Sequence, residues 1–519
     1  MKSFTGLRGL ASAALVMGTV GVFSGGVLDA GSASASTSAR VANSTLVIGT
    51  VNSVQKIDPD VVTNFLDFEA LGLIYNTLVQ QNSQLQIVPD LATSWSFANA
   101  NRQLTLQLRQ GVKFDDGSTM TSADVVASLD RALATKTADP SASFLASVTK
   151  ISASGPNSVV LTMSHPDVSI LQGLATVNLG IMPAAAIKAG TIATKPDGTG
   201  PFEFSKWVPS TSFTLTANPN YWGGKVSLGS VELKTIPTEQ SISAALQAGT
   251  IQMALLSQPT VVSTIPQSYP VQHVMDLSYR ALQLQDKVGI LANVNARRAI
   301  ACATDRNQIL QDSVFGDGKV VGPVPLGPYA TNPVSAICPT PNLAQARKYL
   351  AASGHPSGFT FTAITSTDLD STSAAQAIAM QSQLARVGIK MNIQNLAANA
   401  YIQDWLKGKF QAAFAENGAS PSPYVMYGRY FGKGAGLAVP AGYSSKSLQQ
   451  ELLAGDVTSS AAGQTAAWKK LSNDLTGNAV WIWLFDSYDF AVMSPSVHGF
   501  TLSPVNTTQL SSLANTTLK

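Results

Sequence analysis

Charge is scarce in this 519-residue chain: Asp, Glu, Lys and Arg supply 12% of it, about half of the ~25% usual in soluble proteins. The formal balance is +3, and no block of Lys and Arg stands anywhere. That argues against a nucleic-acid binder, which carries a basic stripe interleaved with aromatics. Signatures of covalent chemistry are missing too. There is no G-x-S-x-G, H-E-x-x-H, Walker A or G-x-G-x-x-G. Ser53-Val54-Gln55-Lys56 and Ser147-Val148-Thr149-Lys150 fit S-x-x-K, but the partner K-T-G is absent. Asp115 and Asp116 adjoin on a turn, where neighbouring carboxylates point apart into water and make a poor acid–base pair. His165, His273, His355 and His498 are far apart, with no Cys or His at ligand spacing. Neither an enzyme, nor a cofactor, nor a bound metal is expected. Only two cysteines occur, Cys302 and Cys338. In an exported chain they could pair, worth roughly 4 kcal/mol by loop-closure entropy; otherwise they are two buried thiols.

What is present begins with a targeting segment. Lys2 and Arg8 precede an apolar stretch from Leu10 to Leu28, and Ala33-Ser34-Ala35 follows as an A-x-A cleavage pattern. Residues 1–40 therefore read as a signal peptide and short tail, with an uncleaved anchor as the competing reading. No Cys lies near it, so attachment through an N-terminal lipid-bearing Cys is not expected. No later apolar run reaches the ~18 residues a membrane span needs.

Apolar residues make up 45% of the chain, with aromatics spread along it. At about 150 residues per domain, three or so packed units are expected. Strand-like and helix-like segments alternate, which indicates an α/β protein. Strands are expected at 45–49, 104–108, 213–217, 389–393 and 481–485. Helices are expected at 65–79, 122–133, 293–310, 343–352 and 373–387, and Asp115-Asp116-Gly117 reads as a turn. Gly111 and Gly117 suit positions of positive φ. Trp95 and Trp222 read as core or lobe-interface residues.

Several runs, in order, carry a family likeness. They are Ile57-Asp58-Pro59 with Tyr75-Asn76-Thr77-Leu78, then Val88-Pro89-Asp90-Leu91-Ala92-Thr93-Ser94-Trp95. Leu108-Arg109-Gln110-Gly111-Val112-Lys113-Phe114-Asp115-Asp116-Gly117 and Thr121-Ser122-Ala123-Asp124 follow. Gly198-Thr199-Gly200-Pro201-Phe202, Asn218-Pro219-Asn220-Tyr221-Trp222 and Asn295-Ala296-Arg297-Arg298 complete the set. Together they resemble the bacterial extracellular solute-binding proteins of family 5, the oligopeptide, dipeptide and nickel receptors of ABC importers. The resemblance implies a two-lobed periplasmic-binding-protein-like fold (type II, cluster C) with a hinge and an extra subdomain. It places lobe I in 41–84, 198–276 and a C-terminal return at 478–519, the extra subdomain in 85–197, and lobe II in 277–477. It implies a monomer outside the cytoplasmic membrane that closes on a solute and presents it to permease subunits.

The same resemblance locates the cleft near Phe414-Ala415-Glu416-Asn417-Gly418-Ala419-Ser420-Pro421-Ser422-Pro423-Tyr424. Peptide receptors carry an acid there for the ligand's α-ammonium; here Ala419 takes that place, and Ser422 takes that of a second Asp. A buried ammonium needs a paired carboxylate, and Glu416 is the candidate substitute, the alternative being a solvated loop charge. Asn52, Asn417 and Ser420 are expected to supply hydrogen bonds, with Gly418 beside them. Tyr279, Tyr401, Trp405 and Tyr424 are candidate aromatic platforms, packing being the alternative for each. The expected solute is peptide-like, with an oligosaccharide as the alternative. A sensory receptor or a nickel-chelate binder on the same scaffold ranks lower.

Overall fold

The computed structural model describes residues 44–134, 142–275, 278–324, 337–418, 420, 422–458, 460–505 and 508–519. The expected targeting segment lies outside the described residues.

Thr45–Thr50 runs parallel to Ser230–Thr235 on one side and Met253–Leu256 on the other. A strand enclosed in this way must be apolar, and Leu46 and Ile48 are fully buried. The sheet around it runs Val271–Met275, Phe485–Met493, Met253–Leu256, Thr45–Thr50, Ser230–Thr235, Ser212–Ala217, Phe202–Val208, with Gly318–Val320 pairing onto Phe485–Met493. A second sheet runs Lys390–Asn395, Thr360–Thr365, Ala412–Gly418, Ser278–Leu284, Trp481–Trp483. Its strand Ser278–Leu284 is buried at every residue. A third, antiparallel sheet holds Ala92–Ala98, Gln103–Leu108, Ser158–Met163 and Val148–Ala153. There Leu104, Leu106 and Leu108 share a core with Val125 and Leu129 of the helix Ser122–Leu133.

Three differences from the sequence reading trace to hydrogen bonds between segments far apart in the chain. The helix expected over 65–79 is Phe65–Leu71. Its continuation is stopped because the carbonyls of Leu73 and Ile74 accept from Phe202 N (3.1 Å) and Gly200 N (2.7 Å). The Gly198-Thr199-Gly200 motif exists for that approach: a Cβ on Gly198 would lie 2.0 Å from Ile74 O, and one on Gly200 2.4 Å from Leu73 O. The helix expected over 293–310 is two helices, Val294–Ala303 and Arg306–Val314. The Cys302 carbonyl accepts from Asn342 N at 2.7 Å, and Asp305 caps the second helix through Gln308 N at 3.1 Å. The strand expected over 481–485 is split between sheets. Trp481–Trp483 pairs with Ser278–Leu284, and Phe485–Met493 enters the first sheet. The return to the first sheet therefore falls at 484–485, later than the expected boundary at 478. Gly318–Val320, inside the expected second lobe, pairs with the first sheet as well.

Gly111 and Gly117 have φ of 74° and 85°, as their turns require. Cys302 and Cys338 are joined by a disulfide, 36 residues apart. It clips the segment before the helix Leu343–Ala352 to the helix Val294–Ala303. Replacing Cys302 and Cys338 together by Ser is expected to lower unfolding stability by about 4 kcal/mol, read as a shift of the denaturant midpoint.

Candidate functional site

The chain passes between the two larger sheets where Val271–Met275 gives way to Ser278–Leu284, and again at Leu484. Beside these crossings the sheets' loops face each other across a cleft. One wall carries Asn52, Asn64, Phe65 and Phe68; the other carries Leu369, Asp370, Tyr401, Trp405, Phe414 to Gly418, Arg429 and Tyr430. This chamber holds about 920 Å³ of empty space, part of it open to solvent. A second chamber shares Asn52, Phe65, Leu369, Asp370 and Glu416 with it and extends past Glu69, Glu239, Arg280 and Asp489. The walls touch at Asn52 Nδ2, which donates to Leu369 O at 3.4 Å, and at Ser257 Oγ, 2.7 Å from Ser371 Oγ.

At the junction of the chambers lies a buried ionic cluster. Arg280 and Glu416 are opposite each other in the antiparallel ladder, so their side chains share a face. Arg280 Nη2 is 2.8 Å from Glu416 Oε1, and its Nε is 3.7 Å from Asp370 Oδ2. Ser278 Oγ donates to Glu416 Oε1 at 3.0 Å. Burial pushes the Glu416 carboxyl up to about 7; Arg280 opposes that rise and Asp370 adds to it. Burial also raises Glu239, although Ser257 N, Ser257 Oγ and Gln258 N all donate to it.

Beneath the first chamber runs a neutral network. Trp405 Nε1 donates to Gln283 Oε1 (2.6 Å), Gln283 Nε2 donates to Asn417 Oδ1 (2.9 Å), and Tyr430 OH donates to the same oxygen (3.0 Å). Tyr401 OH donates to Phe414 O at 2.6 Å. These bonds hold Tyr401, Trp405 and Tyr430 in place where they line the chamber.

Among the described residues, no group of three His, Cys, Asp or Glu could hold a metal ion, and no helix is long and apolar enough to cross a membrane. Residues 86–437 match the bacterial extracellular solute-binding proteins, family 5, middle region. The chain belongs to this family.

Some relatives match this chain along nearly the whole length. It is 25% identical over 486 residues, 90% of this chain and 93% of the relative, to a probable D,D-dipeptide-binding periplasmic protein of Escherichia coli K12. The fold is similar to that of the periplasmic binding protein AgaA from A. tumefaciens R10, solved with agropinic acid. There the TM-score is 0.83 at 24% identity, covering 92% of this chain and 99% of that one. It is equally similar (TM-score 0.83, 23% identity, 92% and 98% covered) to the Helicobacter pylori protein DppA in complex with the peptide STSA. Like the rest of family 5, this chain is a solute-binding component of an ABC importer, built on the two-lobed α/β fold.

Of the residues singled out by sequence, the cleft brings together Asn52, Tyr401, Trp405, Glu416, Asn417 and Gly418. Asn417 is nonetheless held by Gln283 and Tyr430. Two aromatics must be corrected. Tyr279 is fully buried in a cluster with Tyr427, on the inward side of its strand, so it cannot present a ring to the cleft. Tyr424 is buried near Asp456 and Asp167; burial raises its hydroxyl, and the charges of those two acids add to the rise. Ser420 Oγ accepts from Ser422 N at 3.1 Å and does not line the chamber. Ala419 lies outside the described residues. Ser422, standing where the family's second Asp was expected, caps the helix Pro423–Phe431 through Val425 N.

Sequence reasoning missed Asp370, Arg280 and Arg429. Arg280 carries a signal that could have found it. One guanidinium inside Ser278-Tyr279-Arg280-Ala281-Leu282 requires a buried partner. Asp370 sits just beyond the C-terminal end of the strand Thr360–Thr365, where open α/β sheets form their ligand crevices.

Proposed function

We propose that the captured solute is peptide-like and carries a cationic amine that binds beside Glu416. The observation that supports this is a charge count. Two carboxyls, Glu416 and Asp370, share the single guanidinium of Arg280 at the junction of the chambers. A ligand ammonium supplies the missing positive charge and offsets its own desolvation there. The peptide and D,D-dipeptide named for two relatives are compatible with this chemistry. The receptor works as a monomer outside the cytoplasmic membrane, without covalent chemistry. Its lobes, partitioned as the sheets divide, close about the crossings that follow Met275 and fall at Leu484.

Melting curves test the reading, because a ligand that binds only the folded state raises the melting temperature. Free-amine di- to tetrapeptides are expected to raise it, and their N-acetylated counterparts are not. Glu416→Ala should weaken amine-bearing ligands by more than about tenfold. Affinity should also fall as pH drops below about 7, approaching tenfold per unit, because the Glu416 carboxyl must be ionised to hold the amine. A rise with oligosaccharides and none with peptides would instead make the ring faces of Tyr401 and Trp405 the binding platform.

A further inference from the structure

The second guanidinium of the cleft is placed unlike the first. Arg429, half-buried near the end of the helix Pro423–Phe431, lines the first chamber. Its Nη2 donates to Gly418 O at 3.3 Å, and its guanidinium lies 5.1 Å over the Tyr430 ring. Its Nε is buried without a hydrogen-bond partner. Among the described residues no carboxylate lies within ion-pair distance of it, whereas Arg280 has two. A guanidinium offers a planar fork of N–H donors that matches a carboxylate. Gly418 keeps that fork clear: a Cβ there would come within 3.3 Å of Arg429 Nη2 and 3.7 Å of Phe65 Cε1.

A cation with idle donors on the wall of a cleft otherwise rich in carboxyls is completed by an anion from the solute. We propose that Arg429 anchors a carboxylate of the bound solute, making the ligand zwitterionic, with its cationic group toward Glu416 and its acid group at Arg429. The amine half rests on the reading given above; the carboxylate half stands on Arg429 alone. Neutral oligosaccharides would leave Arg429 unmatched, so the site selects against them.

The test incubates the protein with a yeast extract of peptides and small metabolites, either untreated or with its carboxyls converted to amides. Native mass spectrometry reads what is retained. The wild type is expected to retain carboxylates from the untreated extract and to lose them from the amidated one. Arg429→Met should lower retention by about thirtyfold or more. Arg429→Lys, which keeps the charge and the packing on Tyr430, should retain an intermediate amount and show that the fold is intact. Retention of non-peptide carboxylic acids alone would support Arg429 while removing the peptide reading. Retention of peptides regardless of amidation, unchanged retention by Arg429→Met, or no retained carboxylate at all would overturn the proposal.

Discussion

Replacing Arg280 by Met is expected to lower folding stability by about 3–5 kcal/mol near neutral pH. Arg280 is 2% exposed, within a strand buried at every residue. Its removal leaves Glu416 beside Asp370, whose charge adds to the rise of the Glu416 carboxyl, with no cation in contact. The sign follows from that rise. A carboxyl whose folded pKa exceeds its unfolded value favours folding most at low pH, and that advantage is lost as pH climbs through the folded pKa. The deficit of the variant should thus be small near pH 4 and largest above about pH 7, where Glu416 already titrates with Arg280 present. Urea melts across that range measure it. The double variant Arg280→Met with Glu416→Gln should recover much of the loss, because it removes one of the two stranded charges. An equal deficit at every pH would mean that lost packing, including the Arg280 guanidinium over the Phe485 ring at 5.7 Å, outweighs charge.

The second large effect concerns the contact of Val168 and Ser169 with the end of the helix Lys446–Asp456. Val168 N donates to Asp456 O at 3.2 Å, and Ser169 Oγ lies 2.7 Å from Asp456 Oδ1 and 3.0 Å from Asp167 Oδ1. A hydroxyl has one proton and cannot donate to both carboxylates. One of the two acids must therefore carry a proton for the contact to be fully bonded. Burial, with Asp167 adding, pushes the Asp456 carboxyl up to about 8. The facing groups are Asp167, Ser147, Ser169 and Tyr424. By the same sign rule, the contact is strongest below about pH 4 and weakens as pH rises to about 8. Asp456→Asn supplies a permanent donor in place of the titrating proton. It should raise stability by roughly 1–3 kcal/mol at pH 8 and change little at pH 4. The difference in melting temperature between variant and wild type against pH reads this directly. A flat difference would show that the pair does not titrate in this range.

The sequence is most readable where a segment's own chemistry decides its structure. The alternation in Leu104–Leu108 specifies a strand with one buried face, and Leu343–Ala352 stands as a helix with the expected bounds. The family motifs are legible because they record close backbone approaches, as Gly198 and Gly200 do against Leu73 and Ile74. The failures share one physical cause: long-range hydrogen bonds that no local pattern contains. Gly200 and Phe202 end the helix after Leu71, and Asn342 takes the Cys302 carbonyl and breaks the helix over 293–310. The site was legible in part. Glu416, to which the family pattern pointed, lies on the cleft wall. The orientation of Tyr279 was not, because its strand is buried on both faces and periodicity cannot say which face meets the cleft. Arg429 lies in a helix whose residues are mostly buried, and only the assembled cavity shows it without an acidic partner.

The most direct test of solute capture is a crystal structure of the protein with the solute it retains. Density is expected between Phe65 and the Ala415–Gly418 segment, with a nitrogen within hydrogen-bond distance of the Glu416 carboxylate. Solute density elsewhere on the protein, or a neutral group seated against Glu416, would contradict that expectation.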